Sequence, residues 1–264
     1  LRSLDSESQD QANLAFDDEN RYDWHFIPRA REGIPYKSMT AAQSRLAHRL
    51  MNTALSQEGM SKALGLMYLD QILFEIEGRS MRDSELYYVT VFGDPSGEDN
   101  WGWRVEGHHL SLHLTIVDGT AVASSPYFFG SNPAQVRTGP KAGLRVLRER
   151  EDAARALVMA LDRSQRTAAI IDDVAPDDIL TGAELAIDPL SPVGVKTAAL
   201  TPSQRDLLMR VIDAYTSIMA DDIAAECCRA PLLPMLSRDV FDVGLVCKHC
   251  GETGVKFDDL PEDL

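Results

Sequence analysis

Between Trp101 and Ile116 the apolar residues alternate with a period of two but change phase partway. Trp101, Trp103 and Val105 are apolar at odd positions, whereas Leu110, Leu112, Leu114 and Ile116 are apolar at even ones. A regular strand cannot exchange the face it buries, so the chain must slip or turn near Gly107. A β-bulge would supply the slip. A two-residue turn at Gly107-His108, with Gly first as a type II′ turn requires, also pairs the apolar residues: Val105 with Leu110, Trp103 with Leu112, and Trp101 with Leu114. The hairpin is the preferred reading, and it commits the middle of the chain to antiparallel sheet.

The flanking segments extend that sheet. "LYYVTVFG" (86–93) and "TAVASS" (120–125) are short runs of strand type, and Asp118-Gly119 is a strong hairpin signal. On the N-terminal side, Thr40 and Gln43 spell a capping box ahead of Leu46, Leu50 and Ala54, which predicts a helix over 40–55. A second helix follows Gly59, with Ala63, Leu66, Met67, Ile72, Leu73 and Ile76 in helical phase as far as Gly78. Helices are also expected over 144–161, over 165–171 and after Thr201, where Pro202 and Gln204 repeat the helix-start chemistry. The expected fold class is α+β, an antiparallel four-stranded β-meander packed on one face by α-helices. Residues 1–20 read as a flexible acidic arm, 21–225 as a single domain, and 226–264 as a divergent tail that holds all four cysteines.

The charge balance narrows the partners. With 41 acidic against 26 basic residues the net charge is −15, which opposes the phosphate neutralisation on which nucleic-acid binding depends. Nucleic acid and anionic membrane are therefore excluded as expected partners, and a small-molecule ligand is retained. No apolar run of about 18 residues exists to span a bilayer, and no secretory leader opens the chain, which begins at Leu1.

Whichever way the phase slips, Arg104, Glu106, His109, Ser111 and His113 collect on one face. In the expected hairpin Glu106 lies across from His109 and Arg104 across from Ser111, about 5 Å apart at Cβ. A carboxylate beside an imidazole can orient the ring and raise its pKa, which suits a general base or a metal-ligand pair. The expected catalytic set is therefore Glu106, His109 and Arg104, with Trp103, Ser111 and Asn132 as substrate contacts. The competing reading is a solvated sheet face carrying ordinary cross-strand pairs.

A divalent metal ion is the candidate cofactor, with His108, His109 and His113 as ligands. His109 and His113 are, however, roughly 13 Å apart along a strand. Glu106 or a residue of another strand would have to complete the site. His25 and His48 read as packed or surface histidines. Neither a Gly-rich phosphate loop, nor a G-x-S-x-G elbow, nor an H-E-x-x-H helix is present. In the tail, Cys247 and Cys250 form one C-x-x-C turn beside the awkwardly adjacent Cys227 and Cys228. Zinc, a disulfide and free thiols all remain open there.

The segments "FDDENRYDWHFIPR", "MTAAQSRLAHRLMNTALSQEGMSKA", "LYYVTVFGDP", "WGWRVEGHHLSLHLT", "PYFFGSNPAQVRTG" and "GLRVLREREDAARAL" together resemble a mostly bacterial family of unknown function, DUF3500, over about residues 16–222. The resemblance is most specific in W-G-W-R-x-E-G-H-H and carries no established activity; it implies export weakly. His113 stands where the family more often has Asn. Past about Ala225 the likeness ends, where family members carry further strands and an N-H-x-H pattern. The tail is then a native alternative ending or the product of a shifted reading frame, and a site completed by the missing segment would leave this chain inactive.

The functional expectation is an enzyme, with or without a metal ion, acting on a small polar or anionic substrate at the Arg104/Glu106/His109 face. A non-catalytic binding module and a purely structural domain are the alternatives.

Overall fold

The computed structural model describes residues 1–184, 193–221, 223 and 224. They pack as two compact units that divide between Leu147 and Arg148, a division inside the span read as one domain. The cysteine tail, with Cys247 and Cys250, lies outside the described residues.

The first unit is built on a mixed sheet. Its strands are β1 (Asn13–Leu14), β2 (Ile34–Pro35), β3 (Tyr88–Phe92), β4 (Trp101–Gly107), β5 (Leu110–Val117), β6 (Thr120–Ala123) and β7 (Tyr127–Phe129). The sheet has seven strands rather than four, in the order β1-β3-β4-β5-β6, with β2 also pairing with β3 and β7 with β5. All pairs are antiparallel except β1 with β3. Residues 1–20 are not a loose arm. Asp5 caps helix α1 (Ser6–Ala12), Ala12 is buried, and β1 hydrogen-bonds alongside Val91 and Phe92. The physical reason is pairing: this segment satisfies the sheet edge that β3 would otherwise expose.

Helices α2 (Ala41–Met51) and α3 (Gln57–Glu77) begin and end where the local chemistry directs. Thr40 and Gln43 form the complete capping box of α2; Ser56 caps α3 and Gly78, at φ 65°, ends it in the left-handed conformation that glycine adopts at little cost. Val89, Val91 and Trp101 share one apolar cavity with Leu46, Ala47 and Leu50 of α2, so this face of the sheet is the helix-covered one. Trp103, Val105, Leu110, Leu112 and Leu114 are buried with it. The opposite face is also covered, by the irregular segment between β1 and β2. Thr90 donates to Glu32 O at 2.9 Å and Arg104 to Asn20 O and Asp23 O at 2.7 and 2.8 Å. A methyl group on Gly33 would meet Thr90 Oγ1 at 2.3 Å, so only glycine lets that segment approach β3 so closely.

The second unit holds α4 (Arg148–Ala160), α5 (Arg163–Ala169) and α6 (Pro202–Thr216) around a small core of Leu161, Leu200 and Leu208. The similar openings of α5 and α6 meet directly: the capping-box glutamines Gln165 and Gln204 exchange amide hydrogen bonds at 3.0 and 2.8 Å. No helix among the described residues is long and apolar enough to cross a membrane.

Candidate active site at the hairpin tip

The hairpin between β4 and β5 is present, but its turn sits one residue later than expected. Gly107 pairs with Leu110, so the two turn residues are His108 and His109, and Val105 faces Leu112, Trp103 faces Leu114 and Trp101 faces Ile116. Moving a two-residue turn by one position slips the register by two, and a slip of two leaves every side chain on its original face. The buried set therefore survives although each partner changes. The later turn keeps Gly107 in the strand, where the Tyr87 ring lies against it; a methyl group there would come within 2.2 Å of Tyr87 Cδ1. His109 accepts φ 58° in exchange, a conformation that histidine adopts more readily than most residues.

This register rebuilds the expected polar cluster. Glu106 now lies opposite Ser111, and Arg104 opposite His113. His109 leaves the cluster for the turn, where its N–H donates to Phe26 O at 2.9 Å and its carbonyl accepts from Gly130 at 2.8 Å. The proposed Glu106–His109 pair does not form. Instead Glu106 is entirely buried. It accepts from Arg31 Nε, from Ser111 Oγ at 2.7 Å, from His113 Nε2 at 3.3 Å and from the His25 N–H at 3.4 Å.

Burial alone would push this carboxyl up. The His113 hydrogen bond and the charges of Arg31, His113 and Arg104 outweigh it and hold Glu106 at about 2. His113 is itself lowered from its ordinary 6.5, because burial outweighs the pull of Glu106. Glu106 is therefore a carboxylate and His113 a neutral donor at neutral pH. Neither Glu106 nor Arg104 is open to a substrate. They hold the N-terminal segment onto the sheet.

Both shifts place the folded values below those of the unfolded chain, so the unfolded chain binds more protons on acidification and stability falls. The loss from His113 begins as pH drops through about 6.5; that from Glu106 follows as pH falls below 4.5 toward 2. His113→Asn keeps a donor for Glu106 but cannot titrate. Denaturation midpoints measured at pH 7 and pH 5 should fall less in this variant than in the parent, and equal falls would show that His113 does not carry the first loss.

The turn brings together a second group of residues. His108 Nδ1 lies 2.6 Å from Asp70 Oδ1, both residues being buried. The Tyr87 hydroxyl, wholly buried, is 2.8 Å from both Asp70 Oδ2 and the His108 carbonyl. Arg82 Nη1 stands 3.2 Å from His108 Nε2. Asp70 and His108 line a cleft of about 250 Å³ with Pro28, Arg29, Ala30, Arg31, Met81, Asp83, Leu86 and Tyr88. Arg31 links the two groups, bonding Glu106 on one side and the carbonyls of His25, Ile27 and Gly107 at 2.7, 2.9 and 3.2 Å on the other.

Of this group only His108 stood out in the sequence, and as a metal ligand. Asp70 carried a legible signal, since it sits on the apolar stripe of α3, three residues before Leu73 and four after Leu66. A carboxylate at such a position is buried only when partnered. Arg31, Arg82 and Tyr87 gave no comparable sign.

The remaining expected site residues disperse. Trp103 is core, 2% exposed, and is not available as a substrate contact. Ser111 is buried as the Glu106 donor. Asn132 is half-buried in the loop after β7. His108 in the turn and His113 on β5 are bound to Asp70 and Glu106 respectively, and the His109 ring lies tilted against that of His108 with centroids 4.1 Å apart. Among the described residues no group of three or more His, Cys, Asp or Glu side chains is arranged to hold a metal ion.

The family model described as "Protein of unknown function (DUF3500)" matches residues 1–231. No curated protein and no solved structure matches the chain. The match takes in the N-terminal segment that covers the sheet, the α3 carboxylate and the whole hairpin, and it leaves out the end of the cysteine tail. The chain belongs to the DUF3500 family.

Proposed function

We propose that this protein is an enzyme working by general acid–base chemistry on a small polar or anionic substrate, with His108 as the base and Asp70 as the carboxylate that orients it. One observation carries the reading: the 2.6 Å contact between His108 Nδ1 and Asp70 Oδ1 on the wall of a cleft. A carboxylate only accepts and the Arg82 guanidinium only donates. The tautomer that satisfies both therefore has its proton on Nδ1 and its lone pair on Nε2. That is the form a general base needs, and the carboxylate behind it would stabilise the imidazolium once a proton is taken. Tyr87 fixes the second oxygen of Asp70, so the carboxylate cannot rotate away. Glu106 acts at one remove, as a positioning residue that holds Arg31 in the cleft wall.

The reading places no metal in the site. It also moves the chemistry from the face of the sheet, where every polar side chain is committed to the fold, to the hairpin tip. An NMR-monitored panel of small carboxylates, phosphate esters and amides tests it. His108→Gln should lower any turnover shown by the parent protein at least 100-fold, the lower end of what a positioned base contributes. Turnover that survives in a folded His108→Gln variant would remove the base from His108.

A further inference from the structure

Arg82 occupies the position that a general base must vacate. Its Nη1 lies 3.2 Å from His108 Nε2, the nitrogen that carries the lone pair, while its Nε and Nη2 face the two oxygens of Glu77 at 3.0 and 3.4 Å. The Arg82 side chain is 11% exposed and that of its partner Glu77 25%. It stands on the segment between α3 and β3, and both of its chain neighbours, Met81 and Asp83, line the cleft. A guanidinium has five donors and no acceptor, so in this pose it can only cap the lone pair. The cap is a single contact to a ring nitrogen. A guanidinium bonds an oxyanion more strongly, because charge assists the bond and the fork geometry makes it bidentate.

The acidic groups around the cleft are committed elsewhere. Asp83 is held by Lys37 at 2.6 Å, and Asp70 by Tyr87 and His108. Two arginines line the cleft. Arg31 is committed to Glu106 and to backbone carbonyls, whereas the outer nitrogen of Arg29 meets Asp23 at 2.8 Å and its buried Nε has no hydrogen-bond partner among the described residues. An oxyanion that enters the cleft and approaches His108 therefore meets Arg29 on the wall and Arg82 beside His108 Nε2, and no uncommitted carboxylate among the lining residues.

We propose that Arg82 is both the anchor for the substrate and the gate of this site: a small oxyanion, carboxylate or phosphate, draws Arg82 off His108 Nε2, so that binding uncovers the base. The substrate class is thus a small molecule with an anionic group adjacent to the proton that His108 would take. At about 250 Å³ the cleft sits at the small end of ligand sites. The inference rests on the proposed function for the role of His108, but the gate itself can be observed without any turnover.

The test uses the full chain, with the histidine ring nitrogens labelled and His108 assigned by its absence in His108→Gln. Inorganic phosphate and acetate are titrated separately into the parent protein, Arg82→Gln and Arg82→Lys. In the parent, at least one anion should shift the His108 Nε2 resonance saturably, and the identity of that anion names the oxyanion. In Arg82→Gln the resonance should already be displaced, and apparent affinity for the anion should be at least tenfold weaker. Arg82→Lys retains the charge without the fork and guards against a simple folding defect; it should fall between the two. Equal responses in the parent and Arg82→Gln would overturn the proposal, as would the lack of any His108 response to either anion in the parent. Should His108→Gln instead retain turnover while the Arg82-dependent response persists, the base role fails and the anion gate stands.

Discussion

Arg31→Met should destabilise the first unit by about 3–5 kcal/mol, the range for removing one partner of a buried ion pair. The Arg31 side chain is 2% exposed and that of Glu106 not at all, so deleting the guanidinium leaves an ionised carboxylate in a dry site with only Ser111, His113 and one backbone N–H to satisfy it. The carbonyls of His25, Ile27, Arg29 and Gly107 lose a donor in the same step. These carbonyls lie in the N-terminal segment and in β4, so the lost interactions are those that tie the segment to the sheet.

The double variant Arg31→Met/Glu106→Met should recover much of the loss, because removing both charges also removes their desolvation penalty. All three tryptophans, Trp24, Trp101 and Trp103, belong to the first unit, so fluorescence-monitored urea unfolding reports on it directly. An Arg31→Met midpoint indistinguishable from the parent would mean that the pair contributes no more than an exposed one.

Trp103→Ala is expected to cost a similar amount, about 3–5 kcal/mol, by a different route. The indole is 2% exposed, between Val91 on β3 and Leu114 on β5. Its loss leaves a cavity that a sheet bonded on both sides cannot close. Trp24 and Trp101 remain as reporters in that variant. His113→Asn, on the opposite face, should cost far less at pH 7, since Asn also donates to Glu106. Equal losses from the two substitutions would mean that the faces are assigned backwards.

Much of the fold was legible locally. The capping boxes of Thr40 with Gln43 and Thr201 with Gln204 need only four consecutive residues, and both formed as spelled. The phase change near Gly107 required a slip or a turn by alternation alone, the hairpin was the preferred form, and the apolar face it implied is the buried face observed. The family likeness was legible too, through contiguous motifs such as W-G-W-R-x-E-G-H-H, and the family match extends beyond the residues that carried it.

The exact turn was not legible. Gly107-His108 and His108-His109 bury the same apolar residues on the same face and differ in whether His109 stays in the polar cluster, and the choice between them rests on Tyr87, a residue of another segment that packs against Gly107. The same limit applies to the site. Glu106 has four local neighbours that could have held it, yet its strongest partner is Arg31, 75 residues earlier, and the partner of His108 is Asp70, 38 residues earlier on a helix. Periodicity and capping record interactions within a turn or a hairpin, so the sequence by itself determined the helices α2 to α6, the strands β3 to β6, the buried face of the central hairpin and the family, but not α1, β1, β2 or β7. Which buried charges meet depends on how those elements are stacked, and an unpaired charge in the interior costs enough that tertiary packing alone decided which histidine received a carboxylate and a cleft.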